Sequence, residues 1–162
     1  MSRVITFSRC FPAYHPKAGQ PTYFVEKIWD ATSLPFVDNL RGLTDEMVNF
    51  MRRGSNLIWP KYHTIRQGNR FKPGDKFSPR VWSGKPYRSK QIIIAPDIEI
   101  VKTWNFEIHS NLIFLNGQKQ NTVAAELIAK NDGLEFDDFL KWFKYPKLFG
   151  GQVICWNPDI TY

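Results

Sequence analysis

The closing stretch "GGQVICWN" (150–157) constrains the fold of this chain more than any other part of it. Its unbroken apolar run lacks the alternation of a half-exposed strand, so it suits a strand buried on both faces. "RVITFSR" (3–9) does alternate apolar and polar residues, the pattern of a half-buried strand. "TYFVEKIWDATS" sets Phe24, Val25, Ile28 and Trp29 on one side of a helix. "TDEMVNFMRR" does the same with Met47, Phe50 and Met51, with Thr44 placed to cap it and Asp45 and Glu46 in the favourable first turn. Beyond Pro60 the chain is broken by Gly68, Pro73-Gly74 and Ser83-Gly84. Between these turns "YHTIR" and "DKFSPRVW" read as strands, the second an edge or bulged strand because of Pro79. "SKQIIIAPDIEIVKTWNFEIH" predicts a long strand bent at Ala95-Pro96, or two strands, and "NLIFLNGQ" a short one ending in the turn Asn116-Gly117. Two helices follow. "TVAAELIAKNDG" is capped by Asn121 and stopped by Gly133, and "FDDFLKWF" spaces Phe136, Phe139, Leu140 and Phe143 for a core face. Helices and strands segregated in this way predict an α+β domain, and a small β-barrel with helices packed on its openings would bury the aromatic residues.

A chain of 162 residues without a linker or repeat is expected to form one domain, burying roughly 70% of the surface its unfolded form exposes. Its 43% hydrophobic, 15% aromatic and 23% charged residues exclude a disordered or fibrous class. No run approaches the ~18 apolar residues of a membrane span, and "MSRVITFSR" lacks the apolar run of a signal peptide, so the expected compartment is the cytoplasm. Cys10 and Cys155 are expected to be buried thiols on the first and last strands, able to approach if those strands pair. His15, His63 and His109 stand alone in the sequence, without the spacing of a metal site, and no phosphate-cradling or dinucleotide-binding glycine motif occurs. Neither a metal nor a cofactor is expected.

The net charge of +7 is local: from Arg52 to Lys90 eleven Lys or Arg face one acid, Asp75, which leaves −3 for the rest of the chain. Tyr62, Phe71, Phe77, Trp82 and Tyr87 are interleaved with these cations. Cations neutralise phosphates and release counterions, and exposed rings stack on unpaired bases, so the segment is suited to a charged, flat-based polymer such as a nucleic acid, or to a fragment of one. The bland alternative is a solvated basic face. A third reading is a protein-interaction module whose basic loop meets an acidic partner. Arg80, Trp82, Lys85, Tyr87 and Arg88 are the candidate surface, with Arg66 nearer any pocket and Arg70 a further candidate binding residue. Phe71, Phe77, Trp104 and Trp156 are expected in the core, whereas Trp82 and Tyr87 stay open between core packing and base contact.

"KYHTIR" followed by "FKPGD" resembles the signature of ASCH domains, PUA-like barrels associated with RNA binding: Lys61-x-x-Thr64-x-Arg66, a polar stretch, then Pro73-Gly74-Asp75 entering a strand. "VITFSR" is similar to that family's opening strand, and "AKNDGLEFDDFLKWF" with "FGGQVICWN" to its late helices and final strand. The chain departs from the smallest members by a helical insertion around 34–58 and by a longer, more basic loop at "SPRVWSGKPYRSK". Some small bacterial members look like amidohydrolases of N4-acetylcytidine that use a Lys, a Thr and an acid. The resemblance carries these roles to Lys61, Thr64 and Asp132, the last standing where those members have Glu. In such chemistry Lys61, its charge disfavoured by burial and by Arg66 and Arg70, would take the Thr64 proton, and Asp132 would orient a partner or serve the leaving amine. Residues three apart on a strand face opposite ways, so Lys61 and Thr64 can converge only if Lys61 sits in the turn after Pro60 or its stem wraps round.

Overall fold

A computed structural model describes residues 2–32, 59–143 and 148–162. The helix expected from Thr44 and the whole insertion around 34–58 lie outside them. The fold is α+β, with two sheets and three helices among the described residues. β1 (Arg3–Thr6), β3 (Lys76–Trp82), β4 (Gln91–Ile93) and β5 (Ile98–Glu99) form a mixed sheet, in which β1 runs parallel to β3 and both β4 and β5 pair antiparallel with it. The second sheet is antiparallel, in the order β2 (His63–Gln67), β9 (Phe149–Cys155), β6 (Lys102–His109), β7 (Leu112–Leu115), β8 (Gln118–Lys119). No strand pairing joins the two sheets among the described residues. No helix there is long and apolar enough to cross a membrane.

The closing strand behaves as its composition requires. β9 lies between β2 and β6, and Gln152 through Cys155 are buried in succession. The predicted bend at Ala95-Pro96 separates β4 from β5, and a further break at Ile100-Val101 sends β6 to the other sheet, so the region forms three strands. Pro79 corrects a second expectation, because β3 is paired on both sides. On one side the ladder passes from β5, at Lys76 and Phe77, to β4, at Arg80 through Trp82. Proline sits in that gap, where no ladder bond is lost.

Helix α1 (Phe24–Thr32) follows a turn in which the Thr22 hydroxyl accepts from the Phe24 amide, and it buries Phe24, Val25, Ile28 and Trp29 as spaced. Asn121 caps α2 (Thr122–Asn131) by accepting from the Ala124 amide at 2.9 Å. α3 (Phe136–Trp142) buries Phe139 and packs Phe136, Leu140 and Phe143 against the core. Asn116 and Gly117 both take positive φ (49° and 78°), the backbone of a two-residue hairpin turn between β7 and β8.

A single core joins residues of both sheets and all three helices. Trp156 links the sheets, its ring 5.7 Å from Phe77 and 6.4 Å from Phe7. Phe71 and Phe77 are buried as expected, and Trp104 packs half-buried against the core. Of the cysteines only Cys155 is buried. Cys10 is exposed beyond the end of β1, and β1 and β9 belong to different sheets, so the condition for the thiols to approach is not met.

Candidate functional site

The C-terminus of α2 builds the first part of the site. Gly133, at φ 83°, ends the helix: the Leu134 amide bonds the Ala129 carbonyl and the Gly133 amide the Lys130 carbonyl, the pairing of a Schellman motif. The carbonyls that follow have no helical partner and take others. The Tyr62 amide donates to Asn131 O at 2.8 Å, the Lys61 ammonium donates to Asp132 O, and Lys27 Nζ donates to Gly133 O. Two lysines thus sit where the helix dipole favours positive charge. Lys61 lies in the irregular segment between Pro60 and β2 and is held there by a bond from its amide to Lys27 O.

Lys61 is 1% exposed, and its ammonium also bonds Asp132 Oδ1 at 2.8 Å while resting 4.3 Å from the Phe24 ring centre. Burial pulls its pKa from 10.5 down to about 8 against the attraction of Asp132, with Arg66 and Lys27 adding to the depression. Burial alone would raise the Asp132 carboxyl, yet the Lys61 ammonium and His63 hold it below its ordinary value. His63 Nδ1 lies 3.5 Å from Asp132 Oδ1, and its Nε2 shares a 2.7 Å hydrogen bond with the Tyr162 hydroxyl, which also accepts from Asn131 Nδ2 at 2.9 Å. Burial lowers the pKa of His63, so it favours the neutral ring. Lys61 and Asp132 are therefore brought together. Thr64 is buried on β2, on the strand face opposite His63, and no hydrogen bond joins its hydroxyl to Lys61 or Asp132.

The second part is a cleft of about 490 Å³ between the chain that follows β1 and the loop joining β3 to β4. Phe7, Phe11, Arg66, Trp82, Gly84 and Tyr87 are among its walls, and among the described residues no carboxylate lines it. Arg66 stands on β2, where its Nη2 donates to Thr6 O at 2.6 Å and its guanidinium lies 5.3 Å from the Phe7 ring centre. The loop carrying Tyr87 is tied by its own bonds: Ser83 N to Lys90 O, Gly84 N to Ser89 Oγ, Arg88 N to Lys85 O and Ser89 Oγ to Lys85 O. Tyr87 takes φ 62° and is 88% exposed, with its ring centre 5.3 Å from that of half-buried Trp82. A large ring held in water by a tied loop adds nothing to the core, which decides the choice left open for Tyr87 in favour of the surface.

Arg66, Trp82 and Tyr87 thus converge, and the other candidates divide. Arg70 lines a neighbouring cleft that also contains Arg66. Arg80 is occupied on the sheet, donating to Ser78 Oγ and Gln91 Oε1, both at 3.2 Å. Lys85 and Arg88 belong to the loop but line neither cleft. Sequence reasoning missed His63, Tyr162 and Gln152. The Gln152 side chain is buried and pairs with both the amide and the carbonyl of Phe71, at 2.9 and 3.0 Å. A glutamine inside the apolar run "GGQVIC" was the available signal, since a buried amide needs dedicated partners. No protein-family model matches the chain, and no curated protein or solved structure matches it either.

Proposed function

We propose that this protein binds RNA or a modified nucleoside in the cleft walled by Arg66, Trp82 and Tyr87, as an ASCH-like domain whose two sheets form a PUA-like barrel. The observation that carries this reading is the convergence of those three side chains on one cleft whose described walls hold no carboxylate. A ring exposed in a fixed loop is ready to stack, and base–aromatic stacking is worth about 1–3 kcal/mol per base. The volume of about 490 Å³ lies in the range of small-ligand sites. Single-stranded RNA is expected to bind with an affinity that falls steeply with salt, and Trp82→Ala and Tyr87→Ala to weaken it. Absence of binding even at low salt would sink the proposal.

A second reading, an amidohydrolase of N4-acetylcytidine-type nucleosides, is favoured by the contact of the Lys61 ammonium with the Asp132 carboxylate. A Lys with a pKa of about 8 is neutral in roughly one molecule in ten at pH 7. The reaction needs that neutral amine to accept the proton of the Thr64 hydroxyl as it attacks the acetyl carbonyl, a contact that Lys61 and Thr64 do not make here, so Thr64 must first turn toward Lys61; the cytidine amine then leaves with the proton, and water frees acetate from the acylated Thr64. Release of acetate from N4-acetylcytidine, lost in Thr64→Ala with the fold intact, tests it. No turnover of any acylated nucleoside would remove it.

A further inference from the structure

The cleft just described does not end at Arg66. Arg66 and Thr6 also line a second cleft of about 620 Å³, whose remaining walls include Arg3, Gln67, Arg70 and Phe71. Three arginines from three chain segments meet there, at the start of β1, within β2 and in the turn after β2. Among the described residues no Asp or Glu lines this cleft, and Arg3, Arg66 and Arg70 form no ion pair with a described carboxylate. The positions are set by the fold. The Arg3 guanidinium rests 5.4 Å from the Phe71 ring centre, and both backbone polar groups of Phe71 are held by the Gln152 amide. Arg70 precedes that pinned residue. Arg66 leaves its Nε without a hydrogen-bond partner. Collecting three like charges in one hollow is unfavourable unless an anion completes it, and the guanidinium fork matches the oxygens of a phosphate.

We propose that this second cleft is a phosphate site, so that the ligand is a nucleotide, with its base in the cleft of Trp82 and Tyr87 and its phosphate among Arg3, Arg66 and Arg70. The inference rests on the proposed nucleoside-binding reading and narrows it: Arg66, common to both hollows, spans the join between base and phosphate. Arg3 thereby acquires a role that its position in an alternating strand did not suggest. Charge-assisted hydrogen bonds to phosphate are stronger than neutral ones, so a monophosphate should bind at least about tenfold more tightly than its nucleoside.

Calorimetric titration of the full chain with cytidine, its 5′- and 3′-monophosphates, inorganic phosphate, and a short mixed-sequence RNA with and without a 5′ phosphate tests this. The expected result is a gain from phosphate on one or both carriers that is lost in Arg3→Gln/Arg70→Gln, with the variant's thermal midpoint serving as the control for folding. Arg3→Lys/Arg70→Lys should keep part of the gain, because charge is retained while the fork is lost. Binding of cytidine or unphosphorylated RNA with no gain from phosphate overturns the phosphate site and leaves the base cleft standing. Inorganic phosphate binding as tightly as the nucleotides shows an anion hollow unconnected to a base, which overturns the proposal. Failure of every probe at low salt removes the base cleft and the phosphate site together.

Discussion

Lys61 shows how one residue type in a motif can hold a structural and a chemical role at once. Its ammonium closes the end of α2 through the Asp132 carbonyl and pairs with the Asp132 carboxylate, so the same contacts that bury it keep its charge tolerable. Because Asp132 raises the pKa of Lys61 against burial, Asp132→Asn should move the Lys61 titration, followed by NMR of labelled lysine, below about 8. An unchanged midpoint would mean that Asp132 is not its partner. The native value lies below 10.5, so between about 8 and 10.5 the unfolded chain binds more protons and Lys61 makes stability rise with pH. Glu26 presents the opposite case. Its carboxylate is buried with both oxygens unpaired, and burial raises its pKa above 4.5. A raised native pKa favours folding at low pH and costs stability as pH rises through it, so Glu26→Gln should raise the unfolding free energy at pH 7 by about 1–3 kcal/mol, seen as a higher thermal midpoint. The gain should shrink as the pH falls. The burial of Glu26 was not legible in the sequence. Glu26 lies one place from Lys27 on an amphipathic helix, and side-chain spacing there does not say which polar residue is overlaid by another element.

Among the elements, the end of α2 was the most legible and also the most consequential. Asn121 and Gly133 announced its limits, because a cap acceptor and a residue free to take positive φ are local demands. What local rules do not contain is that Lys61 and Lys27 lie against Gly133: a Cβ there would come 3.3 Å from Lys61 Cβ and 3.2 Å from Lys27 Cδ. Gly133→Ala should therefore cost at least the ~1–2 kcal/mol of a strained left-handed residue, measured by denaturant unfolding, and should disturb the Lys61 titration as well. Gly151 makes the corresponding point on β9. A Cβ at that position would meet the Arg66 carbonyl oxygen at 2.2 Å, so Gly151→Ala must push β2 and β9 apart and is expected to cause a large loss of stability. Pro79 misled for a related reason. A proline reads as an edge because it cannot donate, but a strand paired with two partners in series has a place for it between them.

At the scale of the molecule, the excess positive charge of residues 52–90 is divided by the fold. Lys61 is sequestered with Asp132, Arg80 is engaged on the sheet, and Arg66 and Arg70 face clefts to which β1 adds Arg3. RNA affinity should accordingly depend on few phosphates. For single strands log K is expected to fall with log[salt] with a slope of about −0.7 per phosphate neutralised, and replacing Arg3 and Arg70 should make that slope shallower. A slope unaffected by both replacements would assign the salt dependence to the exposed loop cations instead. The sequence by itself determined the α+β class, the caps of α2, the buried closing strand and the density of cations beside rings, because each follows from side chains within a few positions of one another. Only the tertiary structure decided that β1 lies beside β3, that Lys61 meets Asp132, and that Arg3 joins Arg66. These meetings connect residues dozens of positions apart, and they are fixed by how two sheets and three helices share one core, which no local pattern encodes.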